Sequence, residues 1–238
     1  IAADINLPEA EESVRLAGAA QGAAKAMACN VADPAQVEAA VQLAVETFGH
    51  IDVIYNNAGI TVSSRPDGKG LRPLTELPDE EMRRVQDVNI NGVIYGCQSA
   101  IRQFNKQGAN GQGGGGAIVN TASVAGLIGY GGVLYGSTKA AVVGLTRSLA
   151  VEVAEHGIRV NSVCPAGMLT NYGDLSPDSP HKDAILASMG RMHPLGKAID
   201  PADTAGAAMF LASDLSSNIT GVNLPVDGGL SAGRKVGG

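Results

Sequence analysis

Short, almost continuously apolar runs alternate with helix-length segments along nearly the whole chain, and this alternation most constrains the fold. The runs at 51–55 (IDVIY), 117–120 (AIVN), 158–164 and 222–226 read as strands. Strands of that kind are buried on both faces, as in a parallel sheet covered by helices on either side. Two shorter strand-like runs lie at 1–5 and 26–31. Helices are predicted at 8–21, 34–48, 79–107, 134–156 and 201–212. Asp33-Pro34 and Asp200-Pro201 each supply an N-cap followed by proline at the first helical position. Val37, Val41, Ala44, Val45 and Phe48 form one helical stripe, which Gly49 ends. The fold class is therefore α/β, a doubly wound parallel sheet, over a single domain spanning 1–238.

Composition removes several function classes. Hydrophobic residues are 45% of 238 and charged residues 17%, enough apolar material for a core and too much for a disordered chain. A net charge of −6 without a Lys/Arg block opposes nucleic-acid binding. No apolar stretch reaches the ~18 residues of a membrane span. Cys29, Cys97 and Cys164 are an odd number without metal spacing, and His50, His156, His181 and His193 are scattered. No metal is expected, and the cysteines read as reduced residues of a cytoplasmic protein. Gly111, Gly113 and Gly116 satisfy G-x-G-x-x-G, but a helix precedes them and a strand follows. A dinucleotide turn needs the reverse order, because the helix N-terminus holds the pyrophosphate. The 108–116 stretch is expected to be a surface loop.

The chemistry-bearing residues follow the strands. Asn56-Asn57-Ala58-Gly59 comes after IDVIY, Asn89-Ile90-Asn91-Gly92 lies in the next helix, and Ser123 follows AIVN. Tyr135 and Lys139 then sit four apart, on one face of a helix. Alone, each has an ordinary reading: a loop cap for Ser123, a surface pair for Tyr135 and Lys139, a backbone-satisfied polar residue for Asn89. Together they fall at the carboxyl ends of successive strands, where open α/β sheets bind ligands.

In this set the chain resembles the short-chain dehydrogenase/reductase family from Asp4 to Gly229. The resemblance includes N-S-V-C-P at 161–165, Thr170, H-P-L-G at 193–196 and T-G-V-N-L-P-V-D-G-G at 220–229. It implies a Rossmann-like sheet and hydride transfer between a nicotinamide dinucleotide and a carbonyl or alcohol. Tyr135 is implied as the acid/base. A phenol titrates near 10, so the Lys139 charge is expected to lower it. Lys139 is also implied to bind the nicotinamide ribose, Ser123 to hold the substrate oxygen, and Asn89, in preference to Asn91, to anchor a proton-relaying water. Cofactor contacts are implied for Asp4 at the adenosine ribose, Asn30 and Val31 at adenine, Asn57, Ala58 and Gly59 along the path, and Pro165, Met168 and Thr170 at the nicotinamide end. Asn30 stands where the family more often has Asp, and Ala166 where it usually has Gly. Ser123 and Tyr135 are 135 − 123 = 12 positions apart, one fewer than the commonest family spacing, a difference the loop at 126–132 can absorb.

The resemblance also implies a first strand, glycine-rich turn and helix that this chain does not carry. The chain is expected to be N-terminally truncated, with the absent strand central between the Asp4 strand and IDVIY, and to be poorly stable and weak in cofactor binding alone. Asp4, with no basic residue within ten positions, points to NAD over NADP. Residues 169–198 are expected to form a substrate lid. With Ile185, Leu186, Met189 and Met192, the lid suits an apolar or cyclic secondary alcohol or ketone. Reduction of a 3-oxoacyl thioester is the alternative, though no basic cluster for a phosphorylated carrier is visible. A non-catalytic dinucleotide-binding scaffold is the other alternative. The broad apolar surface of the Tyr135 helix predicts a homotetramer or homodimer.

Overall fold

A computed structural model describes residues 1–18, 23–65, 70–109, 114–172 and 176–233. Its strands are β1 (Ala2–Asp4), β2 (Ala26–Ala28), β3 (Val53–Asn56), β4 (Gly116–Thr121), β5 (Ile158–Pro165) and β6 (Asn223–Val226). The helices are α1 (Leu7–Leu16), α2 (Pro34–Phe48), α3 (Asp79–Gln86), α4 (Gly92–Ala109), α5 (Val133–Glu152), α6 (Lys182–Met192) and α7 (Pro201–Ala212). Every strand pairing is parallel. Among the described residues the strands form two sheets, β1-β2 and β3-β4-β5-β6. A cleft of about 430 Å³ separates them, lined by Ala3, Val53, Tyr55, Val37 and Val41 among others.

The cap signals act as their chemistry dictates. The Asp33 carboxylate accepts from the Ala35 amide at 2.9 Å, and Gly49 ends α2 at φ 89°. Gln36, at the capping-box position, donates to Asp33 but accepts from the Asn30 amide, so it ties β2's loop to α2. Asp200 and Asp203 form a reciprocal capping box on α7.

Three sequence expectations need correction. The first helix stops at Leu16, and the end of its predicted span, 19–21, lies outside the described residues, as do Gly111 and Gly113. The strand predicted at 26–31 ends at Ala28, because the Asn30 side chain turns the chain by accepting from the Ala32 amide. IDVIY is not buried on both faces. Val53 and Tyr55 are 42% and 40% exposed, for β3 is an edge strand beside the cleft.

The main core packs α4 and α5 against β4 and β5 through Phe104, Ile118, Val142 and Val160. Each is nearly solvent-free, a contribution of about 1.5–3 kcal/mol per large side chain. One polar brace crosses this core. Asn56 donates to Asn120, and Asn120 donates to Thr146. Gly96 faces this brace; a Cβ there would overlap the Asn56 amide. The first residue of N-N-A-G is thus a structural brace between sheet and helices.

Candidate active site

The predicted helix over 79–107 is three pieces. α3 and α4 are joined by one π-helical turn, Asp87–Asn91, the kind of bulge that re-aims side chains. It turns Asn89 fully inward. The Asn89 amide accepts from the Ile60 N–H at 2.8 Å and donates to the Ile60 carbonyl at 2.8 Å and to Thr138 at 3.0 Å. Asn91 pairs on the surface with Asp87. The Asn89 side chain thus fastens the N-N-A-G loop to α5, with both amide protons committed.

Ser123 ends the segment after β4 and caps a 3₁₀ turn, accepting from the Ala125 amide at 3.1 Å. The ordinary reading of Ser123 as a loop cap holds; its hydroxyl also donates to the Pro165 carbonyl at 3.4 Å, and its nearness to Tyr135 works against the rise of that phenol. The turn rests directly on α5. A Cβ on Gly126 would lie 2.6 Å from the Lys139 carbonyl carbon, so only glycine allows this approach. Gly131 and Gly132 then reverse the chain at φ 74° and 89° to start α5. These glycines accommodate the twelve-residue spacing from Ser123 to Tyr135.

Lys139 is 2% exposed. Its Nζ donates to the Thr121 carbonyl at 2.8 Å and lies 5.7 Å from the Tyr135 ring centroid. Burial pulls the ammonium down to about 8. Among the described residues no carboxylate pairs with it, and two of its three donors remain for other acceptors. The expected lowering of Tyr135 by Lys139 is not found. Burial raises the phenol, and the Ser123 and Tyr172 side chains only partly offset that. Tyr172, which carries no periodic or motif signal, places its ring 6.4 Å from that of Tyr135 and lines the same cavity.

These residues line one cavity of about 1540 Å³. Its lining includes Asp4, Asn30 and Val31, then Asn57, Ala58 and Gly59, and Ser123, Tyr135, Lys139, Pro165, Met168 and Thr170. All the sequence-derived cofactor residues thus share one wall system. Asp4 accepts from the Asn6 amide at 2.8 Å through one carboxylate oxygen and lines the cavity. Asn57 accepts from Thr121. Gly59 is needed here for a reason beyond ligand approach: a Cβ would sit 3.2 Å from Lys139 Nζ. Ala166 adopts no unusual backbone, because no described non-glycine residue has positive φ. The lining suits a dinucleotide: it includes the Asp4 carboxylate and the buried Lys139 ammonium, which no described carboxylate pairs. Among the described residues no three His, Cys, Asp or Glu side chains gather as a metal would require.

One sequence-based reading of the substrate end changes. Arg83 and Arg84 of α3 reach the cavity wall, although no basic cluster was visible along the chain. Asp79, Glu80 and Asp87 stand beside them, so the wall carries three acids against two bases.

Residues 1–231 match the family described as enoyl-(acyl carrier protein) reductase. The 3beta-hydroxysteroid dehydrogenase 2 of Eggerthella lenta is 39% identical over 204 residues, 85% of this chain and 74% of that one. The cyclohexanol dehydrogenase of Acinetobacter sp. is 38% identical over 229 residues, 96% and 83%. Among solved structures, a 3-ketoacyl-(acyl-carrier-protein) reductase from Brucella melitensis complexed with NADH has a TM-score of 0.79 at 33% identity, covering 96% of this chain and 86% of that one. ElxO with NADP bound has a TM-score of 0.81 at 30% identity, covering 97% and 88%.

Proposed function

The chain belongs to the short-chain dehydrogenase/reductase family, and on that premise we propose that it interconverts an apolar or cyclic secondary alcohol and its ketone with NAD. The observation that carries the reading is that Ser123, Tyr135 and Lys139, with Lys139 Nζ 5.7 Å from the Tyr135 ring centroid, line one cavity together with Asp4, Asn30 and Val31. The bound nicotinamide dinucleotide supplies the hydride acceptor or donor. Asp4 would hold the adenosine ribose, with Asn30 and Val31 at adenine. Asn57, Ala58 and Gly59 would line the path, and Pro165, Met168 and Thr170 the nicotinamide end. The free Lys139 donors would hold the nicotinamide ribose hydroxyls.

Ser123 Oγ positions the substrate oxygen, and Tyr135 Oη exchanges the proton with it. A phenol raised by burial is protonated near neutrality and so donates to a ketone oxygen. Oxidation of the alcohol needs the phenolate and quickens as pH rises. Asn89 positions Ile60 and Thr138 around this centre. The three-to-two excess of acids at Arg83 and Arg84 disfavours a phosphorylated thioester carrier, which leaves the secondary alcohol as the better fit. The intact Ser123, Tyr135 and Lys139 set disfavours a non-catalytic scaffold.

The chain reads as one domain with a lid at about 169–198 that includes α6. A cytoplasmic location is supported by three free, buried cysteines; no described helix is long and apolar enough to cross a membrane. A homotetramer or dimer is supported by the outer face of α5, where Ala140, Gly144 and Val151 are exposed. Light scattering at micromolar concentration checks it: an assembly is expected, and a stable monomer opposes it. The function itself is tested by turnover of a secondary-alcohol panel with NAD and with NADP. Oxidation of at least one cyclic alcohol, faster with NAD, is expected; turnover of 3-oxoacyl thioesters alone would contradict it.

A further inference from the structure

The segment between β3 and α3 supplies a further wall of the cavity. Ser64 and Leu71 pair as an antiparallel bridge, and the Arg65 N–H donates to the Gly70 carbonyl at 2.9 Å. One carboxylate clips both arms of this hairpin to α3. Glu81 accepts from the Ser63 N–H of one arm through Oε1 and pairs through Oε2 with Arg72 of the other at 3.4 Å. The Glu81 and Arg72 side chains are largely out of solvent. Held on both oxygens and shielded, this carboxylate grips better than an exposed ion pair.

The clip sets the residue next to Arg72. Leu71 is 41% exposed and lines the cavity with Tyr130, Gly131 and Tyr135. Close contacts fix it against the start of α5. A Cβ on Gly132 would stand 2.9 Å from Leu71 Cδ1, and one on Gly131 would stand 3.4 Å from the Tyr135 ring. Successive glycines of one turn thus touch Leu71 and Tyr135. From the lid, Met192 Sδ meets the hydroxyl of Tyr130, the residue before that turn, at 3.9 Å. Hairpin and lid reach the same turn from two distant parts of the chain. A large apolar side chain left this exposed within a cavity gains when an apolar ligand covers it. We propose that Leu71 is a specificity-determining residue that packs on the hydrocarbon body of the substrate, and that Glu81 is the positioning residue that holds it there, so that cyclic secondary alcohols are preferred to small acyclic ones. The proposal rests on the secondary-alcohol reading above and names the side chain that reads the apolar part.

The test compares kcat/KM for cyclohexanol and 2-propanol in the wild type, Leu71→Ala, Leu71→Met and Glu81→Ala. Each buried methylene is worth a few-fold, so the wild type is expected to favour cyclohexanol by at least about tenfold. Leu71→Ala should lower kcat/KM for cyclohexanol by about tenfold, mainly through KM, and that for 2-propanol by less than about threefold. Its melting temperature should hardly move, because the side chain is exposed. Leu71→Met keeps the volume and should keep the preference. Glu81→Ala should reproduce the selective loss, and adding it to Leu71→Ala should cost less than about twofold more, because the clip acts through the leucine. Equal losses for both alcohols in Leu71→Ala, or none for cyclohexanol, overturn the proposal. Losses that add in full in the double variant overturn the role of Glu81. A wild type that oxidises both alcohols without preference overturns the proposal and leaves the secondary-alcohol reading standing. If neither alcohol is oxidised with either dinucleotide, that reading falls and this one with it.

Discussion

Seven of the eight residues of β5 are buried, whereas none of the three residues of β1 is. β5 pairs with β4 over six residues and with β6 over four; β1 pairs with β2 over three and faces the cleft on its other side. The two regions hold different parts of the candidate site. Ser123, Tyr135 and Lys139 rest on β4, β5 and α5, with their spacing fixed by backbone contact at Gly126. Asp4, Asn30 and Val31 rest on the short pair. Proton-transfer geometry is thus carried by the part of the molecule that buries most apolar surface. Adenosine recognition is carried by the part that buries least. A reacting group displaced by an ångström loses rate steeply, while a ribose contact tolerates more movement.

The contrast is open to four tests of falling size. Native-state hydrogen exchange should find β5 amides slower than β1 amides by at least about a thousandfold, since strands with few buried contacts open locally. Equal protection in both would remove the contrast. Gly126→Ala should cost about 3 kcal/mol of stability, because its Cβ has backbone on the far side. A urea denaturation midpoint unchanged by that substitution would show that the turn does not set the spacing.

Lys139 gives a pH test. Its folded value of about 8 lies below the unfolded value near 10.4. Between those limits the unfolded chain binds more protons, so this group makes stability rise as pH climbs from about 8 to 10. The gain is at most about 3 kcal/mol. Lys139→Met should flatten that rise in urea melts, and an unaltered pH slope would place the ammonium in solvent. The smallest effect is expected at the exposed end. Asp4→Asn should shift the NAD-to-NADP preference by about tenfold, or about 1.4 kcal/mol, with little change in melting temperature.

Much of this contrast was legible in the sequence. Asp33, Gly49 and Asp200 announced α2 and α7 because caps are local chemistry. β4 announced itself as the short apolar run AIVN, and Tyr135 with Lys139 fell on one helical face because i and i+4 must. What stayed hidden depended on distant partners. The exposure of Val53 and Tyr55 follows from what lies beside β3, not from IDVIY. The raised Tyr135 phenol follows from burial by neighbours remote in sequence. Gly126 looked like loop glycine until α5 was placed against it, and Tyr172 sits in a segment with no periodicity to mark it. Arg83 and Arg84 were not seen as a basic cluster until the cavity wall included them.

The central claim is that the well-packed region positions one proton-transfer residue, Tyr135. Tyr135→Phe keeps the ring and its packing and removes only the hydroxyl. Turnover of a secondary alcohol and dinucleotide affinity, measured on the same preparation, test this most directly. The expected result is a rate reduced by about a hundredfold or more with dinucleotide binding within a few-fold of wild type. A variant keeping more than about a tenth of the wild-type rate would assign the proton to another group and contradict the claim.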